Sequence, residues 1–161
     1  MSSVIRKVLI LALIFSVYSG SRQVRAEVEY LAPDFKLQDI KGNSVSLSSY
    51  LGKEAVILLF WTTWCPYCRK ELKNLSGIYQ ELKKEGFEVL AVNVGEVLYK
   101  VDNFTKDYQL NYKVLLDKDI SVAYSYGVVG VPFYLIIDKQ GKVRFADSYF
   151  PHNEYRKLAA L

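Results

Sequence analysis

Cysteine is scarce in this chain, with two in 161 residues, and both lie in one short run at Cys65 and Cys68. A framework of several disulfides is therefore excluded. So is a lipoprotein anchor, because no cysteine follows the apolar stretch near the N-terminus. Histidine is scarcer still: His152 stands alone beside Pro151 in a C-terminal turn and reads as solvent exposed. That apolar stretch, Val8 to Tyr18, would rise only about 17 Å as a helix, well short of a bilayer core. No internal repeat, low-complexity tract or second domain is present. Charge of one sign is also lacking beyond the N-terminus. The formal +4 is carried entirely by Arg6, Lys7, Arg22 and Arg25, within a segment 1–26 that holds no acid. The basic balance thus argues for no nucleic-acid partner, since the remaining charges are mixed as on a solvated surface.

At this length one domain is expected, and an apolar share of 51% is ample for its core. Residues 1–26 read as an export signal: Arg6-Lys7, then the apolar stretch, then Val24-Arg25-Ala26 as a small-residue cleavage site. Arg22 and Arg25 lie beyond the apolar region, where basic residues are unwelcome, so an uncleaved membrane anchor stands as the alternative. Either reading places a domain of residues 27–161 outside the cytoplasm, in a bacterial periplasm or at the outer face of the membrane.

The two cysteines sit in Trp61-Thr62-Thr63-Trp64-Cys65-Pro66-Tyr67-Cys68-Arg69-Lys70-Glu71, after a strand-like run and at the head of a helical pattern. A thiol at a helix N-terminus forms a thiolate readily. Two intervening residues bring the second sulfur about one turn on, within reach of a small disulfide ring. A structural bridge usually closes a longer loop, because linking residues three apart restricts the unfolded chain little. The spacing points to redox work instead: Cys65 attacks and Cys68 resolves.

Along the remainder, Phe35 to Leu37 and Val45 to Leu47 flank Gly42-Asn43 as an opening β-hairpin. Ala55 to Trp61 and Phe87 to Val94 are apolar enough for strands buried on both faces. Between them Leu72, Leu75, Ile78, Tyr79 and Leu82 recur at helical spacing, and Gly86 ends that helix. A second helix over Val97 to Tyr108, a strand at Lys113 to Leu116 and a short helix at Ile120 to Tyr126 follow. A hairpin of Phe133 to Asp138 and Lys142 to Asp147, then a closing helix from Asn153, complete the pattern. This order predicts an α/β fold, a mixed sheet with helices on both faces. Its working site lies beyond the carboxyl ends of the strands, where Ala55 to Trp61 delivers Cys65. Pro132, after the Gly127 to Gly130 turn, suits either a trans proline opening a strand or a cis one in a tight turn.

Four motifs in order, Ala32-Pro33-Asp34-Phe35, Phe60 to Glu71, Ala91-Val92-Asn93-Val94-Gly95-Glu96 and Gly127 to Pro132, carry a resemblance. Over about residues 28–158 the chain resembles the exported TlpA/ResA-like thiol-disulfide oxidoreductases of the thioredoxin fold. The resemblance implies an N-terminal β-hairpin and a helical insert over 95–112, between the second buried strand and the next. It implies that Pro132 is cis and offers the backbone of Val131 to an extended substrate beside Cys65. Glu71 matches a family glutamate near the active site, placed to hold or relay a proton as Cys68 becomes a thiolate. Thioredoxin's buried aspartate is replaced here by Leu59, so an internal acid has to come from elsewhere. Trp64 is expected to cover the disulfide in an apolar docking surface with Pro66 and Tyr67, and Trp61 to be core. Glu96 has two readings, a groove-lining residue with Tyr67 or a surface loop acid, of which the second is preferred.

The role implied is reduction of disulfides in exported proteins, including apocytochromes c during their maturation. A thiol-disulfide electron donor at the membrane would keep the protein reduced. No metal or bound cofactor is called for, the redox group being the cysteine pair itself. Three alternatives stand beside this reading. Pro66-Tyr67 is a Pro-aromatic pair that also occurs in oxidising relatives, so an oxidant of DsbA direction is one. A peroxiredoxin is another, because Thr62 and Cys65 fit T-x-x-C, although Leu58 occupies the place of its expected proline. A copper carrier binding through the two thiolates, with His152 as a candidate further donor, is the third.

Overall fold

A computed structural model describes residues 30–159. The expected export signal or anchor at 1–26 lies outside the described residues. The chain runs β1 (Tyr30–Leu31), β2 (Lys36–Asp39), β3 (Ser44–Ser46), β4 (Ala55–Trp61), α1 (Pro66–Lys84), β5 (Phe87–Val94) and α2 (Leu98–Asp107). It continues β6 (Lys113–Asp117), α3 (Ser121–Ser125), β7 (Phe133–Ile137), β8 (Lys142–Asp147) and α4 (Tyr155–Ala159). All eight strands join one sheet in the order β1-β8-β7-β4-β5-β6-β2-β3.

β4 is central because both its neighbours need it. It pairs in parallel with β5, Ala55 opposite Phe87 through Trp61 opposite Asn93. On its other side it pairs antiparallel with β7, Val56 opposite Ile137 through Phe60 opposite Phe133. Its near-continuous apolar run follows from two covered faces. Ala55, Ile57, Leu59 and Trp61 enter one core with Leu72, Leu75, Tyr79 and Leu82 of α1. Val56, Leu58 and Phe60 enter a second with Phe35, Leu47, Val122 and Tyr126. The packing of Phe35 and Tyr126 is edge-on, at 6.4 Å between ring centroids.

α1 stops where Gly86 adopts φ +83°, a conformation that only glycine takes freely. The hairpin of β2 and β3 extends the sheet edge, with β2 antiparallel to β6. The insert is α2, whose Val101 and Thr105 are buried. Its Phe104 lies against the indole of Trp61, 5.0 Å between centroids, and so covers the end of β4. Tyr112 donates from its hydroxyl to the Leu72 carbonyl at 2.8 Å, tying the segment after α2 to α1. Two elements escape the pattern of the sequence. β1 pairs only Tyr30 with Val143 and Leu31 with Lys142, too short to show alternation. A single 3₁₀ turn, Leu47–Ser49, follows β3 and drops Leu47 into the core.

Candidate redox active site

β4 ends at Trp61, and four residues later Cys65 caps α1. Its backbone is extended, with φ −80° and ψ 112°, and Pro66 occupies the first helical turn. There the missing N–H of proline costs nothing. The Cys65 sulfur accepts from the backbone N–H of Cys68 at 3.1 Å. Cys65 and Cys68 are joined as a disulfide, with Cα atoms 5.3 Å apart. Cys65 retains 4% exposure and Cys68 none, so a partner reaches the first sulfur before the second. When the bond opens, the helix N-terminus and the Cys68 N–H favour the thiolate on Cys65.

The loop after α3 faces this sulfur. Val131–Pro132 is a cis peptide bond, as the resemblance implies. The Val131 carbonyl oxygen stands 3.6 Å from the Cys65 sulfur, within reach of a thiol proton in the reduced state. Trp64, Pro66 and Tyr67 are exposed around the pair, and Trp61 is wholly buried beneath it.

Glu71 sits one turn past Cys68, half-buried. It accepts from the Tyr134 hydroxyl at 2.9 Å and more weakly from Asn74 Nδ2 at 3.5 Å. Tyr134 is fully buried in the core that also holds both cysteines. Burial, and then the neighbouring Glu71 carboxylate, push its phenol well above the ordinary range, so Tyr134 stays a neutral donor to Glu71.

Glu96 corrects the sequence reading. Instead of a surface loop acid it is 9% exposed and organises the active-site loop. Its carboxylate accepts from the Thr63 backbone N–H at 2.7 Å, the Thr63 hydroxyl at 2.8 Å and Asn93 Nδ2 at 2.8 Å, and it pairs with Lys100. Burial alone would raise it. Those hydrogen bonds outweigh burial and hold the carboxyl below its usual value. From the other side, Arg69 donates through Nε and Nη2 to the Thr63 carbonyl at 3.1 and 3.0 Å. The Thr63 peptide is thus gripped at both ends, two residues before the nucleophile. The signal that points to this is Asn93, a polar side chain within a strand otherwise wholly apolar from Val89 to Val94. A buried amide needs a partner, and Glu96 three residues on supplies it.

His152 is exposed and packs edge-on to Phe150, away from any acid cluster. Among the described residues no group of three or more His, Cys, Asp or Glu side chains is arranged to hold a metal ion. No helix among them is long and apolar enough to cross a membrane.

The sequence pattern of the AhpC/TSA family matches residues 28–146. The thiol-disulfide oxidoreductase ResA of Bacillus subtilis is 39% identical over 140 residues, 84% of this chain and 76% of that one. ResA of Geobacillus thermodenitrificans is 37% identical over 146 residues, 89% and 83% of the two chains. Among solved structures, the thioredoxin domain of a thiol-disulfide oxidoreductase from Bacteroides vulgatus superposes with a TM-score of 0.74. The identity there is 29%, over 83% of this chain and 98% of that one.

Proposed function

Because the chain belongs to the AhpC/TSA family, as a ResA-like thiol-disulfide oxidoreductase of thioredoxin-like fold, we propose that it works outside the cytoplasm as a disulfide reductant. The observation that carries the chemistry is the Cys65–Cys68 pair at the N-terminus of α1, with the first sulfur capped and the second shielded. In the reduced protein the Cys65 thiolate attacks one sulfur of a client disulfide. A mixed disulfide forms and one client thiolate departs. Cys68 then attacks the Cys65 sulfur, the second client thiol leaves, and the protein is left oxidised. Two electrons pass to the client, and a dithiol donor at the membrane restores them. Glu71, donated to by Tyr134, takes or supplies the proton that Cys68 exchanges. Trp64, Pro66 and Tyr67 receive the client, with Val131 and Pro132 lying along its extended backbone. Clients of this kind include apocytochromes c awaiting haem attachment. No metal or bound cofactor takes part.

The reductive direction is supported by the size of the insert. Ten-residue α2 is the only helix between β5 and β6, with no room for the helical domain that DsbA-type oxidants carry. The deciding measurement is the reduction potential of the Cys65–Cys68 couple at neutral pH, by equilibration with defined thiol buffers. A value of about −250 mV or lower is expected of a reductant. A value near about −120 mV would make the protein an oxidant and remove the cytochrome role.

A further inference from the structure

α1 packs on one face of the sheet and α3 on the other, so the outer side of α1 forms a rim of its own beside the disulfide. The first charged residues after Cys68 are Arg69, Lys70 and, further along the helix, Lys73, all exposed. From Pro66 to Gln80 the sole carboxylate is Glu71. It is half-buried and accepts from the buried Tyr134 hydroxyl. Arg69 directs Nε and Nη2 to the Thr63 carbonyl, a neutral acceptor that leaves its charge uncompensated. Among the described residues Lys70 and Lys73 have no ion pair.

This cluster runs against local helix physics twice. No acid stands in the first turn of α1, at the positive end of the helix dipole, where carboxylates are favoured and cations are not. Arg69 and Lys73 are four apart and Lys70 and Lys73 three apart, spacings at which like charges repel. In α2 the arrangement is the opposite: Lys100 pairs with Glu96 and Lys106 with Asp102, each at a spacing of four residues. Residues 27–161 carry equal numbers of basic and acidic side chains, so the surplus beside the disulfide is segregation rather than composition. Local rules broken next to a reacting group, with no compensating partner in the fold, point outward.

We infer that Arg69, Lys70 and Lys73 form a docking face for partners whose reacting cysteine is flanked by carboxylates. Along the helix axis Lys70 stands about 7–8 Å from Cys65 and Lys73 about 12 Å. An extended partner bonded to Cys65 covers that span in about two to four residues. Its aspartate or glutamate side chains at those positions come within reach of the two ammonium groups. Opposite charge there speeds encounter and fixes the partner's register. This deepens the proposed function and rests on it.

The test uses the reduced full chain and three peptides, each with one cysteine held as a mixed disulfide with 2-mercaptoethanol. The peptides differ only in glutamate, glutamine or lysine at the positions two to four residues before and after the cysteine. Rate constants come from quenched samples read by mass spectrometry. Each is divided by the rate of dithiothreitol with the same peptide, which removes the peptide's own reactivity. At an ionic strength of about 20 mM the glutamate peptide is expected to react about tenfold faster than the lysine peptide. At about 500 mM the ratio falls toward one. With Lys70→Gln and Lys73→Gln together it falls toward one at low salt as well. With Lys70→Glu and Lys73→Glu the preference inverts, an outcome that misfolding does not produce. Equal rates in the wild type, or a ratio unchanged in both double variants, overturn the docking face and leave thiol-disulfide exchange standing. Equal rates together with sedimentation of the protein on phosphatidylglycerol vesicles assign the lysines to a lipid surface and overturn it likewise. A uniform loss across the three peptides in the glutamine variant, with the pH profile of Cys65 alkylation by iodoacetamide moved upward, assigns them to the thiolate and also overturns it. No reaction with any peptide overturns the proposed function, and the docking face with it.

Discussion

Glu71 stands one turn beyond Cys68 with a neutral, buried phenol donating to it, while the place of thioredoxin's internal aspartate is filled by the fully buried Leu59. If Glu71 handles the proton of Cys68, Glu71→Gln lowers turnover by about a hundredfold, the low end of general acid–base catalysis. It also flattens the pH dependence of turnover while leaving thermal stability nearly intact, because glutamine still accepts from Tyr134. A pH–rate profile of the variant superimposable on that of the wild type would remove Glu71 from the mechanism. Glu96 shows the limit of reading single residues. In the sequence it is one acid after a strand; its partners Thr63 and Asn93 come from different segments, brought together by parallel pairing of β4 and β5. Its neighbour Asn93 was the available clue, since a polar side chain in a buried strand demands satisfaction.

Among the elements, α2 has the clearest structural duty. It lays Phe104 over Trp61 and stacks Phe104 on Tyr108 at 4.1 Å, closing the end of β4 from which the active-site loop leaves. Phe104 is half-buried, so Phe104→Ala should cost about 2 kcal/mol, below the 3–5 of a fully buried phenylalanine. Urea denaturation measures this directly, and a loss under about 0.5 kcal/mol, the range of ordinary surface substitutions, would mean that the insert does not support Trp61. The long elements announce themselves by periodicity. β4 is apolar throughout, and β5 apart from Glu88 and Asn93, because both faces are covered, and α1 shows its stripe at Leu72, Leu75, Tyr79 and Leu82. The two-residue β1 exists only through its pairing with β8, and the 3₁₀ turn at Leu47–Ser49, closed by the Tyr50 N–H on the Leu47 carbonyl, is too short to show a periodicity.

For the molecule as a whole, buried acids govern stability below neutrality. Glu88 lies in the core beneath Tyr79, Lys83 and Lys113; burial works against it, but those partners prevail and hold it below its ordinary value, as with Glu96. A folded pKa below the unfolded one contributes stability that is full above the unfolded value, about 4.3, and is lost as pH falls through the folded value. Asp117 has the opposite sign. Burial raises it despite the N–H groups of Ala123 and Val122, so its contribution is present at low pH and lost as pH rises through its folded value. Comparing Glu96→Gln with the wild type isolates one group. At pH 7 the variant should be less stable by about 1–3 kcal/mol, the cost of charge-assisted bonds lost in a buried site. That gap should close as pH drops below about 4. A gap constant from pH 7 to 3 in denaturant titrations would show that the Glu96 charge contributes nothing.

The chemistry of this protein was written locally. A Cys-Pro-Tyr-Cys run between an apolar strand and an amphipathic helix needs only the residues on either side to put a thiol at a helix N-terminus. Strand and helix order followed from the same short-range periodicities, and the α/β sheet followed from that order. Tertiary structure decided what depends on residues distant in sequence meeting in space. It brought the Val131 carbonyl to the sulfur of Cys65, turned Glu96 from a surface acid into the clamp on Thr63, and set Tyr134 on Glu71. It also opened an apolar groove between Trp64 and Ile120. Side-chain spacing carries information over a few residues, whereas burial, hydrogen-bond satisfaction and the shape of a cleft are properties of neighbours that only the folded sheet assembles.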